Sequence, residues 1–176
     1  GIAAELATSP VPTTRKTRLT AQGHQLLRLD RDGLLEPGDP GILTVLFLLK
    51  LWTRPLDAIV LSDYGKGLLT PALLKQCRRL AARFQVPLLV DPKGLDWKRY
   101  GNADLIKPNA GELAAFTGLP TDSDEEIERA LAAALARCDA RAILVTRAAQ
   151  GASLARRGEP VEHFAAIAVE VGDVCG

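Results

Sequence analysis

Hydrophobic positions recur along this chain in two rhythms, and the rhythm changes part-way. Near the N-terminus, Leu27 and Leu29 alternate with Arg28 and Asp30, the period of a half-buried strand. The run Lys16-Thr17-Arg18-Leu19-Thr20-Ala21 is placed to pair with Gln25-Leu26-Leu27-Arg28-Leu29-Asp30 across Gln22-Gly23-His24. A small antiparallel excursion is expected there, not a separate domain. Residues 30–40 are a polar seam rich in glycine and proline. Residues 42–52 are an apolar run that contains Lys50 and is about half the length of a membrane span, so a buried helix is expected.

Beyond the seam the pattern becomes strand, helix, strand. Ala58-Ile59-Val60-Leu61 is continuously apolar, as for a strand buried on both faces. Thr70-Pro71 reads as an N-cap and first helical position. Leu73, Leu74, Cys77, Leu80, Ala81 and Phe84 then recur at helical spacing, leaving Lys75, Arg78, Arg79 and Arg83 for water. Pro87-Leu88-Leu89-Val90, Ala103-Asp104-Leu105-Ile106 and Ala142-Ile143-Leu144-Val145 are three further strands. A helix from Ser123 carries Asp124, Glu125 and Glu126 at the positive end of its dipole, with Ile127, Ala130, Leu131, Ala134 and Leu135 as its inner stripe. This βαβ alternation predicts an α/β fold with a mostly parallel sheet and flanking helices.

Composition narrows the functional classes. The chain has 176 residues, 47% of them hydrophobic and 24% charged, which is one globular domain and excludes general disorder. A net charge of +1 points to no nucleic-acid partner and no membrane surface. Cys77, Cys138 and Cys175 are far apart, which fits reduced thiols in a cytoplasmic protein better than a disulfide framework or a zinc site. The chain begins at Gly1 and contains no Met, so it is expected to be a piece of a longer protein.

Parallel sheets covered by helices bind ligands beyond the carboxyl ends of their strands. Four polar segments follow the four strands: Ser62-Asp63-Tyr64-Gly65-Lys66-Gly67, Asp91-Pro92-Lys93-Gly94, Lys107-Pro108-Asn109-Ala110-Gly111-Glu112, and Thr146-Arg147 leading to Gly151. Each alone reads as a solvated turn; four on one rim read as a site. Asn109 and Glu112 share one face of a helix start whose free N–H groups suit an anion. A carboxylate beside a phosphate makes sense chiefly with Mg²⁺ between them. Helix-dipole stabilisation is the bland account of Glu112. Neither a GxxxxGK[ST] nor a GxGxxG fingerprint occurs.

The segments Leu61-Ser62-Asp63-Tyr64-Gly65-Lys66-Gly67, Val90-Asp91-Pro92-Lys93-Gly94 and Lys107-Pro108-Asn109-Ala110-Gly111-Glu112 resemble the ribokinase/phosphofructokinase-B carbohydrate kinases. Within that family they are similar to the heptose-7-phosphate kinase domains that are fused to heptose-1-phosphate adenylyltransferases. Lys16-Thr17-Arg18, the Gln25 to Asp30 run, Val145-Thr146-Arg147 and Gln150-Gly151 extend the likeness over residues 14–176.

The resemblance implies a ribokinase-like fold, here a partial kinase domain over 1–176. Residues 1–32 would form a lid-like segment, a candidate homodimer surface, and 55–176 a nucleotide-binding core. It implies ATP and Mg²⁺ as cofactors and a sugar phosphate as substrate. Asn109, Ala110, Gly111 and Glu112 would lie at the phosphates, with Glu112 on the metal; Thr146 and Gly151 would line the nucleotide. Asp63 and Lys66 would face sugar or phosphate, and Arg18 and Arg28 the sugar phosphate or lid. Asp173-Val174-Cys175-Gly176 matches the opening of the family's Asp-x-x-Gly-Ala-Gly-Asp anion-hole turn, so the catalytic base is expected beyond Gly176 and this chain alone is expected not to turn over. The expected function is phosphorylation of D-glycero-β-D-manno-heptose 7-phosphate at its 1-position, toward ADP-heptose and lipopolysaccharide core. The alternatives are another sugar kinase of the family, or a non-catalytic remnant that binds nucleotide or sugar phosphate.

Overall fold

The structure, a computed structural model, describes residues 4–22 and 24–167. They fall into two compact units, one from Gly1–Arg54 and Gly65–Leu80, the other from Pro55–Tyr64 and Ala81–Gly176.

In the first unit, β1 (Arg15–Ala21) and β2 (His24–Arg31) form the expected antiparallel pair, with Leu19 opposite Leu27 and Arg18 opposite Arg28. The expected half-burial is absent, since every position of both strands is exposed. Alternation sorts Leu19, Leu27 and Leu29 onto one face, but in a two-stranded ribbon nothing obliges that face to be covered.

Helix α1 (Pro40–Leu51) also forms as expected. Asp39 caps it, accepting from Gly41 N at 2.7 Å and from Ser9 Oγ at 2.7 Å, and Pro40 fits the first turn, where no N–H is needed. Its burial departs from expectation. Only Gly41 and Ile42 are buried, while Phe47 and Leu51 are each 60% exposed. The helix is apolar around its whole circumference, so contact at its first turn leaves the rest uncovered. Helix α2 (Pro71–Phe84) starts in this unit, with Thr70 Oγ1 accepting from Leu73 N at 3.3 Å. Leu73, Leu74, Cys77, Leu80 and Ala81 are buried as their spacing requires, and Phe84 is half-buried.

The second unit is a six-stranded sheet in the order β3 (Ile59–Ser62), β4 (Leu88–Asp91), β5 (Leu105–Ile106), β6 (Ala142–Thr146), β7 (Ala152–Arg156), β8 (Glu162–Phe164). The pairs β3–β4, β4–β5 and β5–β6 are parallel; β6–β7 and β7–β8 are antiparallel. The sheet is therefore mixed. Its parallel half follows the βαβ pattern, and the antiparallel half extends it. β3 is not buried on both faces: Val60 is 66% exposed, because this outer strand of the described sheet has a strand neighbour on one side only.

Helices α3 (Ala110–Thr117) and α4 (Asp124–Arg137) pack on each other and on β6, and α4 also on β7. Ser123 and Glu126 close a capping box at the start of α4, and Ile127, Ala130, Leu131, Ala134 and Leu135 are all buried. Trp97, in a short 3-10 turn after β4, stacks on Phe116 of α3 with ring centroids 4.0 Å apart.

Candidate functional site: the carboxyl ends of the parallel strands

Parallel pairing brings the segments after β3, β4, β5 and β6 to one rim of the sheet. At its centre is the start of α3. Asn109 Oδ1 accepts from Glu112 N at 2.9 Å, and Glu112 Oε2 accepts from Asn109 N at 3.1 Å, a reciprocal capping box. The box turns both side chains back onto the helix start, and the amides of Ala110 and Gly111, in the first turn, have no intrahelical acceptor.

Lys93, after β4, donates from Nζ to Glu112 Oε1 at 3.1 Å. A cation and an anion therefore meet beside free amides. Lys107 Nζ lies 3.2 Å from Asp91 Oδ1 on the same rim. Thr146 joins through the backbone, its N donating to Pro108 O at 3.0 Å, and it forms an isolated parallel bridge with Asn109. Sequence separation hid this pairing; the strand order creates it.

Asp63 is placed differently from its expected substrate contact. Its side chain is 5% exposed, accepts from the Tyr100 hydroxyl at 2.8 Å and lies 3.6 Å from Arg99 Nη1. Tyr100 is fully buried and its oxygen also accepts from Lys93 N at 3.1 Å. Burial, with the Asp63 carboxylate adding to it, pushes the phenol well above its usual range, so Tyr100 stays a donor. The network ties the segment after β3 to that after β4, and through Lys93 to Glu112. Lys93 belongs to one of the segments marked in the sequence, whereas Tyr100 and Arg99 were not singled out there; a bulky aromatic within a basic, polar stretch is the signal that marks them.

The remaining expected residues are distributed as follows. Lys66 lies in the first unit, paired with Asp32 Oδ2 at 2.5 Å. Arg18 and Arg28 are cross-strand neighbours on the exposed ribbon, and Arg28 donates to Asp30 at 2.6 Å. At Gly151 (φ +88°) a Cβ would run into the backbone of residues 164–166, so the position requires glycine for close approach. Asp173 and Gly176 lie outside the described residues.

The donor set fits a magnesium–phosphate group. Among the described residues no cluster of three or more His, Cys, Asp or Glu is poised for a metal. A cation here would take the single carboxylate of Glu112, water and ligand oxygens, which is the habit of Mg²⁺ and not of zinc. No helix among the described residues is long and apolar enough to cross a membrane.

Comparison with known proteins bears on the family and the fold. The profile of the pfkB family of carbohydrate kinases matches residues 49–176. The chain is 45% identical over 165 residues to the bifunctional protein HldE of Hyphomonas neptunium, covering 94% of this chain and 34% of that protein. It is 43% identical to the bifunctional protein HldE of Caulobacter vibrioides, covering 100% and 36%. It thus spans about a third of the length of these relatives. Among solved structures it resembles Escherichia coli phosphofructokinase-2 in complex with potassium (TM-score 0.68, 20% identity, 93% of this chain and 53% of that one). Arabidopsis thaliana ribokinase complexed with ribose and ATP gives a TM-score of 0.65 at 18% identity, covering 92% and 51%. At these identities the structural likeness speaks for the fold, which is ribokinase-like.

Proposed function

The chain belongs to the pfkB family of carbohydrate kinases, and from that membership we propose that it is part of an ATP- and Mg²⁺-dependent kinase acting on a sugar phosphate. The observation that carries the reading is the α3 start, where the Asn109–Glu112 box, two free amides and Lys93 converge on the rim of a parallel sheet. Bound there, Mg²⁺ would offset phosphate charge. The residues of this chain would do the rest: Glu112 would hold the cation, the Ala110 and Gly111 amides and Lys93 would bind phosphate, and Thr146 with the loop to Gly151 would border the nucleotide. Phosphoryl transfer depends mainly on such positioning and charge stabilisation. Lys66, Arg18 and Arg28 are assigned to the sugar-phosphate side, and the cytoplasm is the compartment this chemistry and the buried thiols of Cys77 and Cys138 suit.

The acceptor proposed is D-glycero-β-D-manno-heptose 7-phosphate, phosphorylated at its 1-position. Its support is the resemblance carried by the segments around Asp63 and Lys93, and the identity to the HldE proteins over nearly the whole chain. By the same resemblance, the proton acceptor for the sugar hydroxyl follows the sequence motif that begins at Asp173.

The test is ADP release by the complete kinase that contains this chain, with Mg²⁺ and a panel of sugar phosphates. Turnover selective for the heptose phosphate is the expected result. Turnover with a different sugar alone would leave the family and remove the acceptor. Binding of nucleotide or sugar phosphate without any turnover would make the chain a non-catalytic remnant.

A further inference from the structure

Beneath the loop 147–151 lies a polar circuit that the phosphate site does not use. Arg147 follows β6, and its side chain is 4% exposed. Its Nη1 donates to Asp124 Oδ1 at 2.6 Å, in the first turn of α4, and to Ser153 Oγ at 3.2 Å on β7. Ser153 is fully buried and meets His163 Nδ1 at 2.9 Å, while His163 Nε2 faces Glu128 Oε1 at 3.2 Å. With the imidazole hydrogen on Nε2 the donors run in one direction, from Arg147 to Ser153 to His163 to Glu128, and the circuit begins and ends on α4.

One atom is left over. Arg147 Nε is the only buried side-chain nitrogen or oxygen without a partner among the described residues. An unpaired buried donor is costly, and apolar replacements of buried ionic groups are often neutral or stabilising. Stability alone is therefore a poor account of a guanidinium at this position.

What Arg147 does control is backbone. Arg147 N donates to Gly151 O at 2.8 Å, Gln150 N to Arg147 O at 3.0 Å, and Gly151 N to Ala148 O at 3.0 Å. Inside this loop Ala148 sits at φ +49°, a left-handed conformation uncommon for a residue with a Cβ. Such conformations persist where the surroundings over-determine them. Arg147, clamped to α4 and β7, anchors one end of this loop, while Gln150 Nε2, 3.5 Å from Asp122 O, and the close packing of Gly151 hold the other.

We propose that Arg147 is a positioning residue for the nucleotide: its guanidinium fixes loop 147–151 so that this loop and Thr146 present a rigid edge to ATP. The inference rests on the kinase reading above, in which this loop borders the nucleotide.

The test compares wild type, Arg147→Met, Arg147→Lys and Ser153→Ala in the complete kinase. Calorimetry gives Mg-ATP affinity, steady-state kinetics give KM for both substrates, and hydrogen exchange reports amides 147–151. Arg147→Met is expected to weaken ATP binding on the order of tenfold, comparable to one lost charge-assisted hydrogen bond. KM for the sugar phosphate should stay within about twofold and exchange should accelerate in 147–151, because the loop and not the sugar side is affected. Arg147→Lys should recover only part of the affinity, because an ammonium lacks the planar fork. Ser153→Ala removes one acceptor of Nη1 while keeping Asp124; it should weaken ATP binding by a smaller factor, and it decides the matter if Arg147→Met fails to fold. Unchanged ATP affinity in Ser153→Ala and in whichever Arg147 variants fold would overturn this inference alone. Absence of ATP binding by the wild type would overturn the kinase reading and the inference with it.

Discussion

Glu112 has a structural role in the helix cap and a proposed role in binding, and a choice of substitution can separate them. Its carboxylate closes the capping box through Asn109 N and pairs with Lys93 at the proposed phosphate site. Glu112→Gln keeps an oxygen for the cap and removes the charge, so thermal stability should hold while Mg-ATP binding weakens. Glu112→Ala should lose the binding by about 1–3 kcal/mol and also about 1 kcal/mol of stability with the cap. Calorimetry and melting curves on the pair check this; equal effects of both variants on melting, with ATP affinity intact, would leave only the cap.

Tyr100 gives a second residue-level prediction. Its phenol is raised in the folded protein by burial, so the folded state holds the proton more tightly than the unfolded chain. The stabilisation is fully present below the unfolded phenol's pKa of about 10 and is lost as pH rises beyond it. Tyr100→Phe should be less stable at neutral pH by about 1–3 kcal/mol, because the buried Asp63 carboxylate loses a donor. Its stability should also fall less steeply than that of the wild type in alkaline denaturation. The sequence showed Asp63 as a polar residue after a strand, but not where its carboxylate points. That depends on Tyr100, 37 residues away, and on the parallel register that brings them together.

Elements were legible where a single periodicity decides them. The α4 stripe and its cap follow from local pattern alone, because every apolar position has one face to occupy. The strands β7 and β8 were not legible. In Ala152–Arg156 the buried positions are Ser153 and Ala155, which carry too little apolar signal to mark a strand. Burial of β1, β2 and α1 was misread for a different reason: periodicity shows which face is apolar, not whether anything covers it. The ribbon offers the clearest test. Leu19, Leu27 and Leu29 present an exposed apolar face, and the family resemblance makes this ribbon a candidate homodimer surface. Under the proposed lid-mediated homodimer, Leu27→Glu should shift sedimentation of the complete kinase from dimer toward monomer and leave its melting temperature nearly unchanged, since the position is 47% exposed. An unaltered dimer would place the interface elsewhere.

At the scale of the whole molecule, βαβ alternation was enough to give the fold class and the rim that carries the candidate site, and the glycine-flanked polar segments marked that rim in the sequence. The order of the six strands in space repeats their order in the chain, from β3 to β8. This has a consequence for biosynthesis. Among the described strands, each one after β3 finds a partner already made when it is synthesised, and none has to be inserted between two that are already paired. The parallel pairs close over helical crossovers, and the antiparallel β6–β7–β8 end forms from close neighbours. Folding can therefore keep pace with a ribosome adding about 5–20 residues per second. Nascent chains arrested after successive strands should gain protease resistance in steps, β3 with β4 first and β8 last, instead of all at once on release.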